Sequence, residues 1–316
     1  MTSTITAYNN FKLNMLAPHE MGGGTPIGQP TLTSTQVTFI TTTGRFDVYG
    51  TNFSINPVTK DLTGTANRVT YSEGGIVMAE ADGLGLTSAQ VLKISQSSSM
   101  VEALIDAILA QDTVFRMGNL NDFMEVGTGR DVVYGGGGVD TVIIDHSWGS
   151  KTKAQYEIKK QADGSFTVSN KIDHVTLHDV ERVQFSDGVV ALDTAGIAGQ
   201  AYRLYQAAFD RTPDSGGLKY WIDKMDSGQG LFGVAANFIG SSEFQSAYGS
   251  LSNLGLVDQL YKNILGRAAE KGGLDFWVGQ LDSGAMDRAT VLANISESAE
   301  NVALVAPAID GGIWLI

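Results

Sequence analysis

The chain of 316 residues contains no cysteine. That removes disulfide scaffolds, thiolate zinc sites, iron–sulfur clusters and cysteine nucleophiles together. Charged residues are also sparse, 17% of the chain against a usual ~25%. Bases are the scarcer kind: 21 Lys and Arg stand against 34 Asp and Glu, a net charge of −13. Phosphate backbones would repel such a chain, so nucleic acid is not an expected partner. No apolar run approaches the ~20 residues needed to span a bilayer as a helix. The first ten residues carry neither the basic nor the apolar region of a Sec-type signal. What is plentiful is glycine, 38 residues, beside 43% hydrophobic and 9% aromatic residues, enough for packed cores in two or more domains. Composition fits the cytosol or the cell exterior and does not choose between them.

Residues 1 to 85 are rich in Thr, Ser and Gly. Val37, Phe39 and Thr41 alternate with Thr38 and Ile40, Gly44-Arg45 interrupts, and Phe46, Val48, Phe53 and Ile55 resume the run. Val69-Thr70-Tyr71 precedes a turn at Glu73-Gly74-Gly75. Short β-branched runs cut by glycine predict strands, in a sandwich or a solenoid, with Gly22 to Pro26 as a loop. His19-Glu20 lacks the second histidine of a zincin. Val101, Leu104, Ile105, Ile108 and Leu109 then recur at helical spacing, with Ser97 to Ser99 as the N-cap and Glu102 in the first turn, which predicts a packing helix.

Three nine-residue units follow in register: Met117 to Glu125, Val126 to Tyr134 and Gly135 to Ile143. Each has Asp at its sixth place (Asp122, Asp131, Asp140) and an apolar residue at its eighth. Glycines stand at the second and fourth places of the last two, at Gly127, Gly129, Gly136 and Gly138. Gln111-Asp112-Thr113-Val114 makes a half unit shifted by one residue. This is the nonapeptide of calcium-binding β-rolls. Glycine lets the backbone turn its carbonyls toward an ion, and Asp offers the hard oxygen that calcium prefers. Successive units lie on alternate sides, so Asp122 is expected to share an ion with Asp140, and Asp112 with Asp131. The phosphate-loop alternative at Gly135 to Gly138 lacks the Lys-Ser/Thr that should follow.

The tandem nonapeptides, with the strand-rich stretches Gln155 to Ile158, Ala162 to Val168 and Val180 to Gly188, resemble RTX proteins, the bacterial family exported by type I secretion. The resemblance implies Ca2+ as the bound ion, the type I machinery as a partner, an uncleaved C-terminal signal and folding on meeting external calcium. Ala308 to Ile316 is compatible with such a signal. His174 and His178 share one face of a predicted strand whose expected place is a solvent-facing edge; His146 is the third histidine of this region.

Residues 197 to 306 are internally duplicated. Tyr205, Arg211, Gly216-Gly217-Leu218, Trp221 and Asp226-Ser227-Gly228 recur as Tyr261, Arg267, Gly272-Gly273-Leu274, Trp277 and Asp282-Ser283-Gly284. After a one-residue insertion, Asn237 and Glu243 match Asn294 and Glu300. Apolar residues at Ala201, Leu204, Tyr205, Ala208 and at Val257, Leu260, Tyr261, Ile264 predict helices. This part resembles the helical domain of unknown function, the family numbered forty-two fourteen, common at the C-terminal side of RTX proteins. Asp210 to Gly216 starts like an EF-hand but lacks its twelfth-place Glu. The repeats therefore read as a helix–turn–helix scaffold with Trp221 and Trp277 as core anchors.

The expected fold is multidomain α+β. It comprises an N-terminal β-rich domain ending in an amphipathic packing helix (1–110), a short calcium β-roll with closing strands (111–195), an all-α duplicated helical domain (196–306) and a C-terminal tail (307–316). Gly-x-Ser-x-Gly and the zincin motif are absent from the sequence, so the expectation is a non-enzyme. It would be an extracellular or cell-surface structural protein, bound to calcium and assembling with itself into a surface layer, filament or matrix. The alternatives are a calcium-dependent adhesin or carbohydrate-binding module, with cell-surface polysaccharide as partner, and a secreted hydrolase of unfamiliar type.

Overall fold

The computed structural model describes residues 3–7, 31–40, 42, 44–97, 100–144 and 151–316. The loop at Gly22 to Pro26, the pair His19-Glu20, His146 and the cap residues Ser98 and Ser99 lie outside these. The chain divides into two compact units, residues 1–188 and 189–316.

The first unit begins with β1 (Ser3–Ala7), β2 (Thr31–Leu32), β3 (Gln36–Ile40), β4 (Arg45–Ile55), β5 (Leu62–Glu73) and β6 (Ile76–Leu86). From β2 to β6 each strand pairs antiparallel with the next. The alternation read from the sequence is therefore a meander within one sheet, and neither a sandwich nor a solenoid. Two helices follow, α1 (Ser88–Ser95) and α2 (Met100–Leu109). Thr87 and Gln90 form a capping box at the start of α1, satisfying backbone donors that a helix end otherwise leaves bare. Ile108 and Leu109 of α2 are buried.

The nonapeptide region coils between two sheets. β7 (Thr113–Arg116), β9 (Arg130–Tyr134) and β13 (His174–His178) pair in parallel. β8 (Phe123–Glu125), β10 (Thr141–Ile143) and β14 (Arg182–Phe185) form a second parallel set. Consecutive strands thus alternate sides, and every second strand lies beside its predecessor. Inward residues Phe115, Met124, Val133, Val142, Val175 and Val183 are each 1% exposed or less. β11 (Glu157–Lys160) and β12 (Phe166–Ser169) extend the first sheet antiparallel beyond β13. β1 joins coil to meander, being parallel to β7 and antiparallel to β6. The result is an eleven-stranded sheet in the order β11-β12-β13-β9-β7-β1-β6-β5-β4-β3-β2.

The second unit holds β15 (Gly188–Ala191), eight helices and β16 (Ile313–Leu315), which pairs antiparallel with β15. α3 (Ile197–Phe209), α4 (Ser215–Asp226), α5 (Leu231–Gly240) and α6 (Ser242–Tyr248) are followed by α7 (Asn253–Leu265), α8 (Lys271–Asp282), α9 (Arg288–Ser296) and α10 (Ala299–Ile309). The duplication is thus four helices repeated in order. Asp210 ends α3 and Gly266 ends α7, both in the left-handed conformation, the usual geometry of a helix C-terminus. Asp214, Ser252, Asp287 and Ser298 cap α4, α7, α9 and α10 by accepting backbone N–H bonds. Ala201, Leu204 and Ala208 of α3 and Leu256, Val257 and Leu260 of α7 are buried in one core. Trp221 and Trp277 pack only partly buried against that core, so they border it and do not anchor it. β16 lies on α4, where Leu218, Ile222 and Met225 are buried; α8, its counterpart, has no buried residue.

Leu204, fully buried, and Leu254, 55% exposed, make a direct comparison. Leu204→Ala lowers the unfolding free energy of the helical unit by about 3 kcal/mol, and Leu254→Ala leaves it within about 0.5 kcal/mol, read from denaturant melts of the helical signal. In the coil, a Cβ on Gly136 (φ 90°) would sit 2.2 Å from the Gly118 carbonyl oxygen, whereas one on Gly164, also at φ 90°, meets nothing within 4 Å. Gly164→Ala therefore costs the backbone term alone, about 1–2 kcal/mol, and Gly136→Ala costs measurably more by the same assay.

Candidate metal centre in the parallel coil

The parallel register decides which acids meet. Phe123 faces Thr141, and Thr141 faces Arg182, which sets Asp122, Asp140 and Glu181, each just ahead of its strand, in one column. Each carboxylate receives backbone donors. Asp122 Oδ2 accepts the Gly118 N–H at 2.9 Å, Asp140 Oδ1 the Asp122 N–H at 2.8 Å, and Glu181 Oε2 the Asp140 N–H at 2.8 Å. Asp122 and Asp140 are fully buried.

On the opposite edge the pairing is staggered. Val114 faces Val132, so Thr113, and not Asp112, stands across from Asp131. Asp131 Oδ1 accepts the Thr113 N–H at 2.9 Å, and Asp112, an exposed residue, accepts the Arg130 N–H at 2.9 Å. The one-residue shift of the half unit sets Asp112 one place ahead of that pairing, and its charge still acts on Asp131. Gly127 lies against the end of α2, its would-be Cβ 1.7 Å from the Leu109 carbonyl oxygen. Gly129, Gly136 and Gly138 take φ of 115°, 90° and 118°, a region open chiefly to glycine.

Two residues outside the nonapeptides join these clusters. Glu181 ends the first column; it is separated from Asp140 by 41 residues instead of 18, and no glycine precedes it in its short turn. Asp173, 3% exposed, stands beside the second edge. Asp131 Oδ2, Asp140 Oδ2 and Asp173 Oδ1 are buried with no hydrogen-bond partner. Burial pushes the carboxyl of Asp140 up to about 7, with the charges of Glu181 and Asp122 adding to it and the Asp122 N–H opposing. Burial likewise raises that of Asp131 to about 7, aided by Asp112 and Asp173 and opposed by the Thr113 N–H and Lys151.

A buried carboxylate oxygen without a donor is costly, by roughly 1–3 kcal/mol or more, and a cation removes the cost. The donor set fits a hard one. The point where a Cβ on Gly135 would sit is 2.7 Å from Asp140 Oδ2 and 1.8 Å from the Asp179 carbonyl oxygen, so a carboxylate and a carbonyl converge in the space that the missing side chain leaves to them. Among the described residues no three His, Cys, Asp or Glu side chains gather into a metal shell. An ion held here would therefore draw on backbone carbonyls beside Asp140, an oxygen-only environment of the kind calcium takes.

The histidines do a different task. β13 lies between β9 and β12, so it is an interior strand and not the expected edge. His178 stacks on Tyr134 at 4.7 Å between ring centroids, and the Arg116 guanidinium lies 4.5 Å from the Tyr134 ring. These three come from successive strands of one sheet.

In the helical unit the repeated residues contact one another. The Arg211 guanidinium donates to the Tyr205 hydroxyl at 2.9 Å and lies 3.3 Å from Glu243; that hydroxyl donates to Asp214 Oδ2 at 2.6 Å. In the second copy Arg267 meets Glu300 through two bonds of 2.8 and 2.7 Å and also pairs with Glu270. The EF-hand-like start is thereby used up: Asp214 caps α4, accepting the Gly217 N–H at 2.7 Å, and Asp210 ends α3.

No helix among the described residues is long and apolar enough to cross a membrane. A search of the curated proteins returned no match, and neither did a search of the solved structures. A family model does match: Domain of unknown function (DUF4214) aligns with residues 200–230 and 235–305, so the duplicated helices of the second unit correspond to that domain.

Proposed function

We propose that this protein is a calcium-stabilised structural component of the cell exterior that assembles with copies of itself. The observation that carries the reading is Asp140 Oδ2, buried and unpartnered, with the Asp179 carbonyl oxygen on the same side of Gly135. Asp140 Oδ2 and the Asp179 carbonyl would hold the ion, with further backbone carbonyls completing its shell. The coil is then a calcium β-roll of the kind RTX proteins carry, exported by the type I route and completed where calcium is abundant. At the ~10⁻⁴–10⁻³ M affinities typical of extracellular modules, millimolar calcium adds roughly 1 kcal/mol or more per site. Assembly follows from the same electrostatics. Copies at −13 repel one another, and bound divalent ions lower that barrier.

A second reading, an adhesin or carbohydrate-binding module, is favoured by one feature. Tyr220 and Phe276, 52% and 50% exposed, occupy equivalent places on α4 and α8, each edge-on to a tryptophan. Binding of the monomer on a glycan array would support it over self-assembly.

Two measurements test the main reading. Assemblies seen by electron microscopy in millimolar calcium dissolve on adding chelator; assemblies that resist chelation, or a strict monomer with calcium present, overturn it. The second measurement is pH dependence. The raised carboxyls of Asp131 and Asp140 keep a proton in the folded chain between pH ~4 and ~7 that the unfolded chain has released. Their stabilising contribution is complete below ~4 and is lost as pH rises through ~7. In chelator the melting temperature therefore falls by roughly 5 °C or more from pH 5 to pH 8, and calcium, replacing the proton, restores most of it at pH 8. Asp140→Asn weakens both the pH dependence and the calcium response.

A further inference from the structure

The two edges of the coil bury the same kind of acid but not the same counter-charge. Along the Asp122–Asp140–Glu181 column, the side-chain charges acting on Asp140 are both negative. On the other edge a lysine enters. Lys151 Nζ lies 3.1 Å from Asp173 Oδ2, with the two side chains 22% and 4% exposed. The same oxygen accepts the Tyr156 hydroxyl at 2.5 Å and the Asn170 side-chain amide at 3.3 Å. The lysine's backbone is fixed as well: its carbonyl oxygen accepts the Ser186 N–H at 3.1 Å and the Ser186 hydroxyl at 3.0 Å, just beyond β14. The ammonium is thus held in a set place. Asp131 feels both Asp173, which repels its charge, and Lys151, which attracts it.

A tethered ammonium and a bound divalent ion answer the same electrostatic need by different means. The ion depends on its concentration outside the cell; the lysine is always present at unit occupancy. An ion entering between Asp131 and Asp173 would face a fixed positive charge at short range, a repulsion that partly buried surroundings screen little. We propose that Lys151 is the built-in cation of the Asp131–Asp173 edge and excludes calcium from it, so that the coil takes a single calcium ion, on the Asp140 column. The inference rests on the calcium reading for that column, though not for the lysine itself. Asp131 Oδ2 and Asp173 Oδ1, both buried and unpartnered, are the oxygens that removal of the lysine would offer to an ion.

The test counts calcium. Full-length protein stripped with chelator is titrated with calcium chloride by calorimetry. The expected stoichiometry is one ion for the wild type and for Lys151→Arg, and two for Lys151→Met and Lys151→Gln. The glutamine variant keeps a hydrogen-bond donor, so it separates loss of charge from loss of packing. A variant that unfolds in chelator and refolds in millimolar calcium, judged by circular dichroism, also supports the inference. A wild-type count of two overturns it, and so does an absence of gained ions in both neutral variants. A wild-type count of zero with an ion gained in Lys151→Met upholds the built-in cation and sinks the calcium site at Asp140. The two readings therefore fail separately.

Discussion

A backbone N–H ending on the carboxylate of the adjacent turn is the constraint on which the coil depends. The Asp122 and Asp140 amides each find an acid in this way, as do those of Thr113 and Arg130, while the Gly118 amide takes Asp122 of its own turn. Tight turns leave amides that no strand can pair, and burying them unpaired would cost about what a lost hydrogen bond costs. An acid at a fixed place in each unit meets that need. At Asp122, Asp131 and Asp140 the acid that does so is itself buried. At Asp131 and Asp140 the amide leaves the other oxygen buried without a donor, and that oxygen creates the demand for a cation.

That order of cause explains why glycine and aspartate occur together. The Gly127 and Gly136 positions sit against carbonyl oxygens, of Leu109 at the end of α2 and of Gly118 in the neighbouring turn, at distances no side chain tolerates. Close stacking of turns brings the amide within reach of the acid, and the same stacking removes water that would otherwise solvate it. The raised carboxyls of Asp131 and Asp140 follow from the compactness that the glycines permit. A looser turn would spare the acids their desolvation and also lose the hydrogen bonds.

The helical unit handles charge in the opposite way. Arg211–Glu243 and Arg267–Glu300 join the same turn to the same helix in each copy, with side chains 40% exposed or more, and exposed pairs contribute only about 0–1 kcal/mol. Their use is geometric, fixing α6 and α10 against the turns before α4 and α8. The buried ion pair is a singular one. Arg203, 3% exposed in its side chain, meets Glu297 through bonds of 2.7 Å and also donates to the Thr194 carbonyl. It links α3 of the first copy to the end of α9 in the second, and position 259 of the second copy holds Gln where the first has Arg203. The duplication thus supplies repeated surface clamps, and one unrepeated buried clamp fastens the copies together.

How far these features can be read from the chain depends on whether they are local. The helices of the second unit follow from apolar spacing, and their ends from Asp, Ser and Gly at set places, because capping is decided within a few residues. The alternation of strands between two sheets follows from the nine-residue period for the same reason. The half-buried state of Trp221 and Trp277 does not, since it depends on what packs over α4 and α8. Nor do Glu181 and Asp173. The segment between β10 and β13 breaks the period, so the next acid of the column arrives 41 residues later, as Glu without glycines, with nothing in its neighbourhood to mark it. Lys151 is harder still to see: a lone lysine in a polar stretch reads as solvated surface, and only the return of the chain across the coil at Ser186 brings its ammonium onto Asp173. Periodicity specifies the ligands that repeat. The charge that closes the last turn is set by chain return, which leaves no spacing in the sequence.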